Sequence, residues 1–185
     1  MSNEYKDWEK DKIEEENQIV AKYPFLRVRD LNGKPDVDAD FPMIGLEIPN
    51  GWYKLFFQMC DDLMPVLEET GLLNDFYFLQ VKEKFNDLIC YTATSNEKID
   101  SIIEKYENMA QYVCSVCGRP ADVETADYIL SFCSDCYKNV CPNAKVTTLE
   151  FEPTFSKFVR ELDEYVEYTI SFEEEWNRYL KNFEA

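Results

Sequence analysis

The residues with the most telling types and spacing are cysteines: Cys114-x2-Cys117, fifteen intervening residues, then Cys133-x2-Cys136. Each pair can bind from one tight turn and two pairs complete a tetrahedron, so the pattern predicts a four-cysteine zinc site. Gly118, directly after the first pair, lets the backbone fold back toward the sulfurs without a Cβ clash, as in a zinc knuckle. If "CSDCYKNV" opens a short helix, its amide N–H groups and positive dipole end face the thiolates of Cys133 and Cys136. A zinc module at about 112–141 then has the form of a zinc ribbon or treble clef. The alternative is four buried, reduced thiols. Cys141, just before Pro142, is a spare ligand, while Cys60 and Cys90 are expected to pack as small apolar side chains.

Four thiolates close the metal's shell, whereas a catalytic zinc keeps a position open for water, so the expected role of the ion is structural. A nucleobase deaminase needs a His-x-Glu or Cys-x-Glu element and a proline before its second cysteine pair, where this chain has Phe132. Histidine is absent altogether. That removes Ser-His-Asp and Cys-His nucleophiles, histidine-ligated catalytic zinc, histidine general bases and HNH-type nucleases. No catalytic residue is assigned, and the chain is expected not to be an enzyme.

Two further constellations compete. Asp36, Asp38, Asp40 and Glu47 occupy positions 1, 3, 5 and 12 of an EF-hand-like loop, but Phe41 stands where glycine makes the turn, so a solvated acidic loop is expected. Asp75, Gln80 and Lys82 have the look of the acid-and-lysine strand of metal-dependent nucleases, in which carboxylates hold Mg²⁺. Only Gln80 and Lys82 share a strand face by parity.

The elements that must position the cysteines follow from periodicity. Residues 3 to 21 read as a charged helix, and Asn32-Gly33 as a turn in the punctuated stretch after it. A second helix runs from Asn50, as its cap, to Thr70, with Trp52, Leu55, Phe56, Met59, Leu63, Val66 and Leu67 on one face, Pro65 inside it and Gly71 ending it. "FYFLQV" and "DLICYT" predict an antiparallel hairpin over 76 to 92. Thr94 and Glu97 resemble a capping box for a third helix striped by Ile99, Ile102, Ile103, Tyr106, Ala110 and Val113, which delivers the chain to Cys114. Beyond the cysteines, "VTTLEF" reads as a strand. Phe155, Phe158, Val159, Leu162, Val166 and Ile170 predict a C-terminal helical segment at about 154–184, breaking near Ser171. The fold class is therefore α+β, helices packed on a small antiparallel sheet with the four-cysteine module, in a single domain over 1–185.

Composition bounds the partners. With 37 acidic and 19 basic residues the net charge is −18, yet 45% of residues are hydrophobic and 15% aromatic, too apolar for a disordered acidic tail. The first residues lack the basic patch and apolar run of a signal peptide. The longest charge-free run, Asn108 to Gly118, falls well short of the ~20 apolar residues of a membrane span. Paired cysteines without disulfide logic predict the reducing cytoplasm. Direct nucleic-acid binding is disfavoured by phosphate repulsion, and a basic protein surface is the favoured partner.

Once "GWYKLFFQMCDDL", "LQVKEKFNDLICYT", "IDSIIEKYENMA" and "CSVCGRPA...YILSFCSDC" stand in this order, the chain resembles a family of small phage and bacterial zinc-binding proteins, mostly of unknown function. The likeness covers about residues 23 to 136. Its most specific parts are Val-Lys-Glu-Lys-Phe at 81 to 85 and the cysteine pairs. A glycine commonly follows the phenylalanine in that family, where this chain has Asn86. More narrowly the chain looks like the phage-borne type II-A anti-CRISPR proteins, which inhibit Cas9. That resemblance implies a cytoplasmic, non-enzymatic inhibitor in a bacterial host whose acidic side chains meet the basic channels of Cas9. A zinc-binding adaptor for another basic protein and a metal-dependent nuclease are the alternatives.

Overall fold

The computed structural model describes residues 3–159 and 166–183. The chain opens with the helix α1 (Asn3–Lys22), whose Val20 is buried. Glu16, also buried, spends its charge locally, with Oε2 accepting the Met43 N–H at 3.2 Å and Oε1 lying 3.8 Å from Lys12. An irregular hairpin follows, joined by bridges Arg27–Met43 and Arg29–Pro35, and its tight turn brings Gly33 to φ 75°. The turn expected at Asn32-Gly33 is therefore present.

Strand β1 (Leu46–Glu47) leads into a 3-10 turn, Asn50–Trp52, and helix α2 (Tyr53–Thr70). The predicted face of α2 is the buried one, with Leu55, Phe56, Met59, Leu63 and Leu67 removed from solvent, and Pro65 lies inside the helix without ending it. Gly71 closes it at φ 72°, with Gly71 N–H on Glu68 O and Leu72 N–H on Leu67 O, the paired bonds of a Schellman ending. The start differs from expectation: Asn50 caps nothing with its side chain, because the chain enters α2 through the 3-10 turn.

β2 (Phe78–Lys84) and β3 (Asp87–Thr92) form the expected antiparallel hairpin, and β1 adds to β2 in parallel, so the sheet order is β1-β2-β3. Helix α3 (Glu97–Ala110) buries Ile99, Ile103, Tyr106, Met109 and Ala110. Its cap is Asn96, whose side chain accepts the Lys98 N–H at 3.0 Å; Thr94 instead donates to Asp75 O, so no capping box forms. Phe25, Phe56, Phe76 and Phe78 meet beneath this sheet with ring centroids 5.3–5.9 Å apart, in the edge-on or tilted arrangements aromatic quadrupoles favour.

The second sheet, order β5-β4-β6, comprises β4 (Val123–Thr125), β5 (Ser131–Phe132) and β6 (Val146–Thr148), with helix α4 (Ser134–Val140) between β5 and β6. The structure is thus α+β: five helices among the described residues, with small sheets that are antiparallel except at β1–β2.

The C-terminal helical segment expected at 154–184 is corrected. β7 (Thr154–Val159) and β8 (Val166–Ser171) pair antiparallel, and only α5 (Glu173–Leu180) with its 3-10 extension is helical. "VEYTIS" alternates β-branched or aromatic with polar residues, a period of two that outweighs the looser three-and-four spacing read from Phe155 to Ile170. Phe155 and Ile170 are register partners; Phe155 packs against the main core and Ile170 is buried. Leu162, part of the expected helical stripe, lies outside the described residues. The break near Ser171 coincides with the β8–α5 boundary.

Candidate metal centre

The end of α3 hands the chain to a turn in which Cys114 N–H donates to Arg119 O at 2.8 Å and Gly118 N–H returns to Cys114 O at 3.0 Å. Gly118 has φ 75°, the left-handed conformation the fold-back toward the sulfurs requires. Ser115 N–H then reaches Ser131 O of β5 at 2.9 Å, which brings the second cysteine pair alongside the first. Cys133 occupies the position before α4, and Asp122 locks that helix start by accepting the N–H and hydroxyl of Ser134 at 2.7 and 2.8 Å. The short helix expected at "CSDCYKNV" is present.

These elements bring the sulfurs of Cys114, Cys117, Cys133 and Cys136 within 4.8 Å of one another, Cys117 and Cys133 at 3.6 Å. Four thiolates at ~2.3 Å from a tetrahedral ion stand about 3.8 Å apart. The cluster therefore fits one metal ion, and among the described residues no other group of potential ligands does. Cys114 and Cys133 are buried, Cys136 is half-buried and Cys117 is exposed. Cys141 packs with Phe132 and Tyr137 in the small apolar cluster beneath the module but stands outside the four-sulfur group.

The electrostatics are those of crowded thiols. Burial opposes the Cys114 thiolate, yet N–H groups of Cys133, Cys117 and Val116 outweigh it and hold this pKa below the usual thiol value. Burial and the neighbouring sulfurs push Cys136 up, and burial first of all raises Cys117. One ion would relieve this crowding by taking the place of the protons. Cys60 and Cys90 sit in the main core, where burial drives both thiols well above their ordinary pKa.

The centre is built into the body of the protein. Gly51 N–H donates to Ser115 O at 3.0 Å, and a Cβ on Gly51 would fall 2.0 Å from Cys114 O. Trp52 Nε1 donates to Val113 O at 3.1 Å, and the Tyr179 hydroxyl of α5 donates to Gly118 O. Asn86 reaches in from the β2–β3 turn: its amide donates to Ser131 Oγ at 2.7 Å and to Glu124 Oε1 at 2.9 Å. Sequence reasoning missed Gly51, Asn86 and Tyr179. Only Asn86, in the turn expected between "FYFLQV" and "DLICYT", stood where sequence reasoning placed a turn.

The competing constellations do not assemble. Asp36 Oδ1 accepts the Asp38 N–H within its own loop, while Glu47 lies in β1 and accepts the Gln80 amide. Asp75 sits in the turn before β2, and Lys82 donates to Gln80 Oε1 at 3.0 Å. Among the described residues no helix is long and apolar enough to cross a membrane. No family model, no curated protein and no solved structure matches the chain.

Proposed function

We propose that this chain is a binding protein braced by one structural zinc ion, and that it acts as a phage anti-CRISPR protein by occupying a basic surface of Cas9. The observation that carries the binding reading is the coupling of a closed four-thiolate cluster to a chain of net charge −18. Four sulfurs leave no ligand position for a substrate. Zinc is the ion such a set of soft ligands at tetrahedral spacing favours, with iron the principal competitor. Cas9 as the partner rests on the sequence resemblance and on its basic nucleic-acid channels.

The acidic stretches differ in how their charge is used within the chain. Asp61, Asp62, Glu69 and Glu175 are already paired with Lys22, Arg178, Lys98 and Lys105. Asp38, Asp40, Glu173 and Glu174 are exposed and have no ion pair among the described residues, so their charge is available to a partner. The test is a Cas9 cleavage assay with the inhibitor in equimolar amount and in excess, alongside co-purification. Inhibition with stable co-purification supports the proposal. Failure of both turns the reading to an adaptor for a different basic protein.

A further inference from the structure

Apart from the metal centre, the sheet edge beside β2 forms an open groove of about 890 Å³. Its walls are the turn at Val28–Gly33, the approach Ile44–Gly45 to β1, and the first half of β2. β1 pairs with β2 only at Val81 and Lys82. Before that point Ile44 is held away by its N–H bond to Leu26 O at 2.9 Å, and the two chains part. The register of β2 slips between Phe78 and Gln80, a bulge that turns Leu79 outward to 61% exposure. On this side, Phe78–Gln80 lie outside the β1 ladder.

Two cations line the groove without a carboxylate partner. Arg29 stacks over Tyr77 at 4.7 Å and gives Nη1 to Gly33 O, while its Nε is buried and meets no acceptor. Lys82 lies 5.0 Å from the Tyr91 ring and donates to the Gln80 amide. Neither forms an ion pair within 4.0 Å among the described residues, in a chain with 37 acidic side chains to choose from. The two acids of the lining keep their charge but turn oxygens to uncharged donors: Asp30 accepts the backbone N–H groups of Asn32 and Lys34, and Glu47 accepts the Gln80 amide through both oxygens. Leu31, fully exposed, and Leu79 supply apolar surface beside them.

We propose that this groove binds an extended peptide that adds as a short strand along Phe78–Gln80 and sets a carboxylate against Arg29 and Lys82. Main-chain bonds to an open strand edge supply affinity that is indifferent to side chains, and alternate side chains supply selectivity. Here the outward positions offer two leucines and two cations that have no ion pair among the described residues, which select an acidic residue flanked by aliphatic ones. This inference does not depend on the identity of the partner at the acidic surfaces.

The test is an amide-shift titration of isotopically labelled, metal-replete protein with peptides about six residues long, a typical strand length, alternating Val and Thr around a central Glu, Gln or Lys. The Glu peptide is expected to move the amides of Leu79, Gln80 and Lys82, and to bind about threefold more tightly than the Lys peptide, within the range of a single exposed charge pair. Lys82→Glu, at a half-buried position whose side chain donates to Gln80, should reverse that order while leaving the rest of the spectrum in place. Arg29→Ala should weaken the Glu peptide; if that variant misfolds, Lys82→Glu alone decides. Equal binding of all three peptides, or no movement of these amides at millimolar peptide, overturns the proposal. Movement of the same amides by a single-stranded oligonucleotide but by no peptide replaces it with a nucleic-acid site.

Discussion

The Asn86 side-chain oxygen accepts the Ser131 N–H at 3.0 Å while its amide nitrogen donates to Ser131 Oγ at 2.7 Å, so one residue fastens the β2–β3 hairpin to the metal module. Asn86 is 1% exposed and stands at φ 67°, next to Phe85 at φ 55°. Two consecutive residues in the left-handed region make the turn that matches the twist of a hairpin, and asparagine tolerates that region better than most residues. Glycine would make the turn more easily but would leave Ser131 N–H buried and unpaired.

Replacing Asn86 by alanine should therefore cost about 2–4 kcal/mol, since it strands buried polar groups and keeps a side chain at positive φ. Asn86→Gly should recover only the backbone part, under about 1 kcal/mol. Urea unfolding of the three proteins measures this directly. Equal stability of Asn86→Ala and the parent would show that the fastening contributes nothing.

Metal content forms the second prediction. Elemental analysis of protein purified without chelator should give one zinc per chain, and Cys133→Ser should lose it together with on the order of 10 kcal/mol of metal-linked stability. Iron in place of zinc would keep the centre and change the ion. No metal at all would leave four reduced thiols.

Glycines give a paired control. Gly51→Ala drives a methyl to 2.0 Å from Cys114 O, a backbone atom that cannot move aside without breaking the turn, so this variant should fail to hold metal or to fold. Gly45→Ala meets nothing within 4 Å and should be nearly neutral. Thermal melts and metal content of both proteins check the pair.

Glu107 predicts a pH effect. It is half-buried on α3, accepts the Cys90 N–H at 2.8 Å, and loss of solvent, with the charges of Asp87 and Asp100 adding to it, lifts its pKa from 4.5 to about 7. The folded state thus holds its proton more tightly than the unfolded chain. The resulting stability is complete below about pH 4.5 and is lost as pH rises through about 7. Since thiolate protonation weakens a metal site in the opposite direction, the informative measurement is the difference between Glu107→Gln and the parent. The variant should gain relative to the parent across that window, by an amount of order 1–3 kcal/mol. A constant difference from pH 5 to pH 8 would contradict the shift.

Charge reversal addresses the proposed inhibition. Asp38→Lys with Asp40→Lys, and Glu173→Lys with Glu174→Lys, remove exposed charge that has no ion pair among the described residues. Asp61→Lys instead breaks an internal pair with Lys22. At least one of the first two sets should weaken Cas9 binding without lowering the melting temperature, and parent affinity should fall as salt screens the charges. Unchanged inhibition by both sets, with affinity flat in salt, would rule out the electrostatic contact.

Much of this architecture was legible because its signals are local. The apolar faces of α2 and α3, Gly71 at a helix end, and the cysteine spacing each follow from a few neighbouring residues. The segment after Thr154 was misread because the spacing of Phe155, Phe158, Val159 and Val166 suits a helix, while the period-two alternation of "VEYTIS" that favours the observed strand is only six residues long. Gly51 and Tyr179 were invisible for a related reason. Their partners, Cys114 and Gly118, lie far away in sequence, and nothing in their own surroundings announces the contact.

That distance also has a kinetic side. Trp52 reaches Val113 across 61 positions, Tyr179 reaches Gly118 across 61, and Asn86 reaches Ser131 across 45. Closing loops of this length costs entropy before any contact repays it, so contacts of this kind form late. The helices can form first, each from its own residues, while the four-cysteine turn waits for its surroundings. Refolding followed by far-ultraviolet circular dichroism should accordingly run ahead of refolding followed by metal uptake.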